Sequence, residues 1–376
     1  MPPASPTIHI VEPTLRDQTG HCHSFILSLL AAVAGGTPRL ELWAARGAAA
    51  GLFPEAPGLR LHPLFTPLLR RLQTFLLFRR LLRAPGRLFV ATATRTELLL
   101  LDWAARGPIP PGKAFLYVHW LKLTPGKRRS LARLARRQPG LQLLAPTAGV
   151  RDALAACGFR NAQVVPYPIT PAAPAPALEP AAAPFRHLLF AGAARLDKGF
   201  ARVVDLVAFL QRLGEAVPVL IQASPPHTGR HEPGVVAELA RLAAIGYPHL
   251  VQLGQTLDAE EYRALFRGAI SLQPYDPAAF AGERVSGVTL DSLTQGSPVI
   301  VPAGTWMARL AERFNAGVAL ADFAPETLWA AACRIRADYA AYRQRALAGG
   351  ATLQRENSAA HLLALLTAAA PGAEEG

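Results

Sequence analysis

The chain is short of lysine, of cysteine and, over its first half, of acids. Its 376 residues hold 39 Lys and Arg, of which four are lysine: Lys113, Lys122, Lys127 and Lys198. Cys22, Cys157 and Cys333 are scattered without a pairing pattern. That excludes a disulfide scaffold and reads as reduced thiols of a cytosolic protein. No run approaches the ~18–20 apolar residues that a spanning helix needs. The stretch Phe25–Ala34 is too short and lacks the basic start of a secretory signal. There is no internal repeat of fixed period and no Asp-x-Asp pair for a metal. His21-Cys22-His23 is not read as a zinc site, because neighbours on one element rarely converge on one ion and no further Cys/His cluster completes the set.

The shortage of acids is local. Residues 1–170 carry 22 Lys/Arg against 7 Asp/Glu, whereas residues 171–376 carry 17 against 19. All of the formal excess of +13 therefore arises in the first half. A coding bias toward Arg would raise it everywhere and does not explain the asymmetry. The first half is expected to meet an anionic partner: a membrane surface, an acidic polymer or a nucleic acid. Nucleic acid is set aside, since no binding motif and no interleaving of basic and aromatic residues is present.

What is there suits two cores. Hydrophobic residues make up 51% of a chain too long for one ordinary core. Thr170–Pro184, TPAAPAPALEPAAAP, cannot hold a helix and reads as a semi-rigid connector. The expected organisation is a first domain over 1–170, the connector over 171–185, a second domain over 186–355 and a closing helix and tail over 356–376. Residues 1–6 and Pro371–Gly376 are expected to be disordered. Apolar runs alternate with amphipathic stretches, the pattern of parallel βα units. Strands are expected at Ile8–Val11, Leu40–Trp43, Leu88–Thr92, Phe115–His119 and Leu141–Ala145, then at Leu188–Ala191, Val217–Ala223, Leu250–Gly254, Ala269–Gln273 and Val299–Val301. Helices are expected at His23–Ala34, Gly199–Leu213, Val235–Ile245, Ala259–Phe266, Ser286–Gln295 and Trp306–Phe314. The fold class is α/β: two doubly wound, Rossmann-like domains facing across a cleft, with ligands at the C-terminal strand ends.

The segment Tyr275–Val301, YDPAAFAGERVSGVTLDSLTQGSPVIV, is the most informative. A strand, a long loop, a helix starting near Ser286-Gly287 and a further buried strand follow in order. The free N–H groups at the helix start make an anion seat. Glu283 precedes that seat and Asp291 lies about one turn into the helix. Amides for a phosphate beside acids for hydroxyls suit a phosphorylated sugar. The bland reading is a loop acid and a helix acid placed there by the dipole.

This segment resembles the donor site of the family 4-like, GT-B-fold glycosyltransferases. Their signature is Glu, seven residues, Glu, then a Gly-x-Pro-Val strand, matched here by Glu283, Asp291, Gly296, Pro298 and Val299. The second acid is Asp, one methylene shorter. The second domain opens with HLLFAGAARLDKGF, similar to the family's Gly-Arg…Lys-Gly diphosphate motif. Gly192, Lys198 and Gly199 match in spacing, while Ala193 stands where the Arg belongs and Arg195 comes two positions later. Either these cations hold a diphosphate or they are solvated loop charges.

The resemblance covers most of residues 7–370 and implies further roles. The loop EPTLRDQTGHCHSF, with Gly20, looks like the acceptor-side loop. There His21 or His23 would bond acceptor or phosphate, helix capping and a plain surface imidazole being the alternatives. His119 follows the apolar run Phe115–Val118; in relatives a His in a comparable place contacts the donor sugar, and otherwise it is a satisfied core histidine. Val251–Leu257 ends a strand whose turn, with Gly254 and Leu257, cradles the nucleotide base in the family. Val285, Ser286 and Gly287 would line the donor, and the apolar helix Ala359–Ala370 would cross back onto the first domain.

The function implied is a retaining hexosyltransferase of polysaccharide biosynthesis, bacterial in type. It would use UDP- or GDP-sugar with no metal and no other cofactor, and a lipid-linked or polysaccharide acceptor. Lys198 and Arg195 would stabilise the leaving group, Glu283 and His119 would orient the sugar and Asp291 would hold the ribose. Leu64–Arg83 and the acid-free Lys122–Arg137 would face anionic lipid, placing the protein on the cytoplasmic side of the inner membrane. On a helical wheel over the whole of Leu64–Arg83 the arginines are not confined to one face, and a helix packed under a loop is the alternative reading. The rival within the enzyme class is a sugar epimerase or a phosphorylase on the same fold; a phosphorylase needs a cofactor-bearing lysine, and the second half has only Lys198. The rival of another class is a catalytically degenerate GT-B scaffold in an envelope-polysaccharide assembly complex.

Overall fold

The computed structural model describes residues 7–18, 20–33, 38–53, 56, 58–169, 184–225, 229–281 and 283–368. The expected tails at 1–6 and 371–376, and all of the Thr170–Pro184 connector except Pro184, lie outside the described residues. The chain divides into two compact units, Met1–Pro171 with Glu356–Gly376, and Ala172–Arg355.

The first unit runs β1 (Ile8–Val11), α1 (Gly20–Ala31), β2 (Leu40–Ala45), β3 (Leu59–Phe65), α2 (Arg70–Leu81), β4 (Arg87–Val90), α3 (Arg95–Ala104), β5 (Ala114–Tyr117), α4 (Pro125–Arg137), β6 (Gln142–Ala145), α5 (Ala148–Ala155) and β7 (Ala162–Val164). Its seven strands are parallel in the order β3-β2-β1-β4-β5-β6-β7. The central strands β1 and β5 are buried at every position because helices cover both faces. One face packs α2, α3, α4 and α5 through Phe78, Leu98, Leu131 and Leu154. The other packs α1 through Phe25, Ile26 and Leu29.

The second unit runs β8 (His187–Phe190), α6 (Phe200–Leu213), β9 (Val219–Gln222), α7 (Pro233–Ile245), β10 (Leu250–Leu253), α8 (Ala259–Ala264), β11 (Ala269–Leu272), α9 (Gly287–Thr294), β12 (Val299–Pro302), α10 (Trp306–Arg313), β13 (Gly317–Leu320), α11 (Pro325–Ala337) and α12 (Tyr339–Glu356). Its six parallel strands are ordered β10-β9-β8-β11-β12-β13. Both sheets change direction beside their first strand, β1/β4 and β8/β11, where a doubly wound sheet opens a crevice at its C-terminal ends. α13 (Ala359–Thr367) belongs to the first unit, burying Leu362 and Leu366 in the α1 core. Arg87 donates to the Leu366 carbonyl oxygen at 2.8 Å, and the Asn357 amide donates to that of Tyr167 at 2.7 Å.

Several elements were not expected from the sequence. β3, β7 and β13 were not, nor were α3, α5, α11 and α12. Leu64–Arg83 is not one stretch: Leu64 and Phe65 end β3, and the helix starts only at Arg70. The Thr66 N–H donates to Gln73 Oε1 at 2.8 Å and fastens that turn. Among the described residues no helix is long and apolar enough to cross a membrane.

Candidate functional site

After β8 the chain turns at Gly192, whose φ of +95° is open to glycine. The Gly192 N–H donates to Gln222 Oε1, at the end of β9, at 2.6 Å. A short turn over Leu196–Lys198 follows, and Gly199, at φ +74°, starts α6. A Cβ on Gly199 would stand 1.9 Å from the Pro274 carbonyl oxygen, so the loops after β8 and β11 are pressed together here. The Asp276 N–H donates to the Asp197 carbonyl oxygen at 3.0 Å. Arg202 donates to the carbonyl oxygens of Pro274 at 2.8 Å and Tyr275 at 3.0 Å.

Lys198 is folded back over Gly192. Its Nζ lies 3.1 Å from where a Gly192 Cβ would be, and Val288 Cγ2, in the first turn of α9, lies 3.8 Å from the same point. The ammonium also sits 5.8 Å above the centre of the Tyr275 ring. Loss of water pushes its pKa down to about 8, and Arg195 and Arg284 push the same way against Asp197 and Asp291. Arg195 is paired with Asp197, and Arg284 Nη1 stands 3.9 Å from the same carboxylate. Arg284 lies over the Phe280 ring at 4.5 Å and donates to the Ala279 carbonyl oxygen at 3.2 Å. Three cations thus gather around Asp197. Arg284 was missed in the sequence, although it adjoins Glu283.

α9 is aimed at this cluster by a buried polar ladder. The Ser286 hydroxyl caps the helix, accepting from the Thr289 N–H at 3.4 Å. The Thr289 hydroxyl donates to Gln273 Oε1 at 2.5 Å, and Gln273 Nε2 donates to Ser271 Oγ at 3.1 Å and Ser292 Oγ at 3.3 Å. Gly287 is exposed, with open space where a side chain would be. The Tyr275 ring is buried beneath, its hydroxyl titrating above the ordinary value because of burial.

The two acids are held differently. Asp291 is half-buried and accepts a hydrogen bond from the Tyr262 hydroxyl of α8 at 3.2 Å. Burial raises its pKa to about 6, against the opposing pull of the Tyr262 hydroxyl, Lys198 and Arg263. Glu283 adopts a left-handed φ of +64°, uncommon for a residue with a side chain, and pairs with Arg309 of α10 at 2.8 Å. Val285 is half-buried between Glu283 and the helix cap. Gly254 is exposed at the end of β10, two strand positions from β8, while Leu257 packs on the cluster that contains Val288.

The structure therefore brings Gly192, Arg195, Lys198, Ser286 and Asp291 together and adds Arg284, Asp197, Tyr262 and Tyr275. In the first unit, His119 lies two residues beyond β5. It is half-buried among Phe25, Tyr117 and Tyr167 at ring distances of 5.6, 4.9 and 5.5 Å, with Nε2 2.9 Å from the Ala91 carbonyl oxygen. Gly20 and His21 open α1, and the His21 side chain lies outside the described residues. His23 departs from the acceptor-side expectation. It is buried, stacks on Phe53 at 4.9 Å and bonds the Leu52 carbonyl oxygen at 3.3 Å, because its place on α1 faces the core. The polar group at the end of β1 is instead Glu12. It is buried and takes a hydrogen bond from the Thr14 hydroxyl at 2.6 Å, and burial raises its pKa. Burial, with Glu12 nearby, pushes the Cys22 thiol up to about 12.

No family model and no curated protein matches the chain. Solved structures do. A trehalose-6-phosphate synthase, OtsA, matches with a TM-score of 0.69 at 13% identity over 96% of this chain and 99% of that one. HepE of Anabaena in complex with UDP-glucose matches at 0.68 and 13%, over 96% and 98%. WaaG, a glycosyltransferase involved in lipopolysaccharide biosynthesis, matches at 0.65 and 14%, over 96% and 100%. Likeness over the whole length of both chains shows the fold: this is a GT-B fold, that of the family 4-like glycosyltransferases the sequence resembles.

Proposed function

We propose that this protein is a glycosyltransferase that moves a hexosyl group from a nucleotide-diphosphate sugar to an acceptor hydroxyl with retention and without a metal. The observation that carries the reading is the Lys198 ammonium seated over Gly192 beside the first turn of α9, with Arg195 and Arg284 around it. A diphosphate leaving group gathers negative charge as the sugar departs. Prearranged cations and helix N–H groups meet that charge without reorganising, usually the largest single catalytic contribution. Asp197 holds Arg195 and Arg284 until phosphate oxygens take its place. These cations supply what a divalent ion would supply elsewhere, which is why no metal is invoked. Asp291 takes the ribose hydroxyls, Gly254 and Leu257 border the base, and Glu283 and His119 orient the sugar. Among the fold neighbours, HepE was captured with UDP-glucose and WaaG is involved in lipopolysaccharide biosynthesis, which supports a UDP-sugar donor and a lipid-linked or polysaccharide acceptor. The protein would work in the cytoplasm at the inner membrane face.

The Glu283–Arg309 pair and the Ala193 departure favour a second reading, a GT-B scaffold that no longer turns over. Thermal shift with UDP, GDP, ADP and dTDP, with and without EDTA, tests both. A nucleotide at 100 times its dissociation constant adds about 2.7 kcal/mol. Stabilisation by one nucleotide, insensitive to EDTA and lost in Lys198→Ala, supports the donor site, and sugar transfer in the same sample supports the enzyme. Binding without hydrolysis or transfer, over a panel of nucleotide sugars and acceptors, favours the scaffold. No response to any nucleotide ends both readings of the site.

A further inference from the structure

Exposed large apolar side chains concentrate at one place on the first unit. Leu68 is 98% exposed, Leu69 55%, Leu72 56% and Leu76 54%. Leu68, Leu72 and Leu76 recur every four residues and so run along one side of α2 and the turn before it. The opposite side of α2 buries Leu77, Phe78 and Leu81 in the core. This helix is therefore apolar inward and apolar outward, with exposed Arg70, Arg71, Arg80 and Arg83 around the outer leucines. Its neighbour α3 carries Trp103 at 64% exposure. Between α3 and α4 a shallow groove of about 420 Å³ is lined by Leu99, Ser130, Arg133, Arg136 and Arg137, an apolar floor under three guanidinium groups. Arg137 is tied to Asp102, which props it at the rim.

The geometry points to the outer surface of the α2–α3–α4 layer as a docking face for an anionic lipid bilayer, with Leu68, Leu69, Leu72, Leu76 and Trp103 entering the interface and the arginines meeting lipid phosphates. Charge selects this occupant. α2 and α4 hold no acid, and of the two acids of α3 Glu97 closes the helix cap and Asp102 is buried against Arg137, so the face presents apolar and cationic groups together. A bilayer of anionic lipid offers acyl chains under a sheet of phosphates and is complementary to both. Arginine stems lie along apolar surface while their heads stay at phosphate level, and tryptophan prefers that level. A second copy of this chain would set arginines against arginines. The inference deepens the proposed function by naming the face that reaches the membrane, while the surface itself is defined without reference to the donor site.

The test is co-sedimentation of the full chain with vesicles of phosphatidylcholine alone and of phosphatidylcholine with phosphatidylglycerol. Wild type is expected to bind the anionic vesicles selectively, with a blue shift of emission that Trp103→Phe removes. A fourfold variant, Leu68→Ser, Leu69→Ser, Leu72→Ser and Leu76→Ser, is expected to bind about tenfold less while keeping its melting temperature. Arg133→Gln with Arg136→Gln should weaken binding and lower its salt dependence. Absence of binding to anionic vesicles overturns the inference, as does equal binding by the leucine variant. So does a wild-type dimer in light scattering that the leucine variant dissociates. Nucleotide stabilisation measured on the same samples separates the two proposals. Lost vesicle binding with retained nucleotide binding removes the membrane face alone, and the converse removes the donor site alone.

Discussion

The two units share one topology and use charge in opposite ways. In the first, cations stand on exposed helix faces such as Arg128, Arg129 and Arg133 of α4, far outnumbering acids. In the second, Lys and Arg nearly balance Asp and Glu, and a few charges are enclosed at the ends of β8 and β11. A surface charge keeps its water and acts collectively on a large anionic partner. An enclosed charge has lost water, titrates away from its ordinary value and acts on one ligand at a fixed place. The same kind of sheet thus carries exposed cations in one unit and enclosed, mutually paired charges in the other.

The sharpest test of the contrast is Lys198→Ala, which removes the enclosed cation. Sugar transfer should fall by roughly 10²–10³, measured as turnover at saturating donor. A loss of tenfold or less would place Lys198 among ordinary loop cations.

Next in size is Gly199→Ala. The added Cβ meets the Pro274 carbonyl oxygen at 1.9 Å in a left-handed backbone, so the loops after β8 and β11 must part. The expected loss is roughly 3 kcal/mol, read from the denaturant midpoint. Nucleotide binding should weaken with it.

Acidity gives a third test. Lys198, lowered to about 8, is an ammonium below that value and neutral above it, so donor affinity should fall as pH rises through about 8. Asp291, raised to about 6, is charged above that value and loses its charge below it, so affinity should also fall as pH drops through about 6. Calorimetric titration of nucleotide should show a maximum between the two. Asp291→Asn removes a charge that helps Lys198 hold its proton, and the alkaline limb should move to lower pH.

The smallest effect is expected in the first unit. Arg128→Gln with Arg129→Gln changes exposed side chains on α4, and the melting free energy should stay within about 0.5 kcal/mol. A larger change would mean that the first unit, too, relies on specific charges for its fold.

Much of the fold was legible. Ile8–Val11 and Ala269–Leu272 are short, mostly apolar runs of the kind that parallel strands covered on both faces require, and the structure places buried strands there. α3 was overlooked, although Thr94 and Glu97 form a reciprocal cap that its sequence carries. α12 was overlooked for another reason. Its buried face includes Gly349 and Gly350, small residues that let it approach Phe314 and Leu293 closely, and with Arg343 they interrupt the apolar period of Tyr339, Tyr342, Ala346 and Leu353. α2 misled because residues 64–69 belong to a strand and a turn. The leucines of the helix itself are divided between a buried side, Leu77 and Leu81, and an exposed side, Leu72 and Leu76, so no single apolar face stands out in a helical projection.

The sequence by itself determined that there are two α/β halves, that the excess charge lies in the first, and that Gly192, Lys198 and Ser286 stand at loop and helix-start positions suited to an anion, with Asp291 about one turn into the helix. Composition, periodicity and spacing are local properties, so a chain can be read for them directly. Only the tertiary structure decided that Arg284 joins Arg195 and Lys198 around Asp197, that Tyr262 holds Asp291, that Arg309 takes Glu283 and that His23 turns inward. Those partners lie on different elements, and the packing of loops and helices against one sheet sets which of them meet.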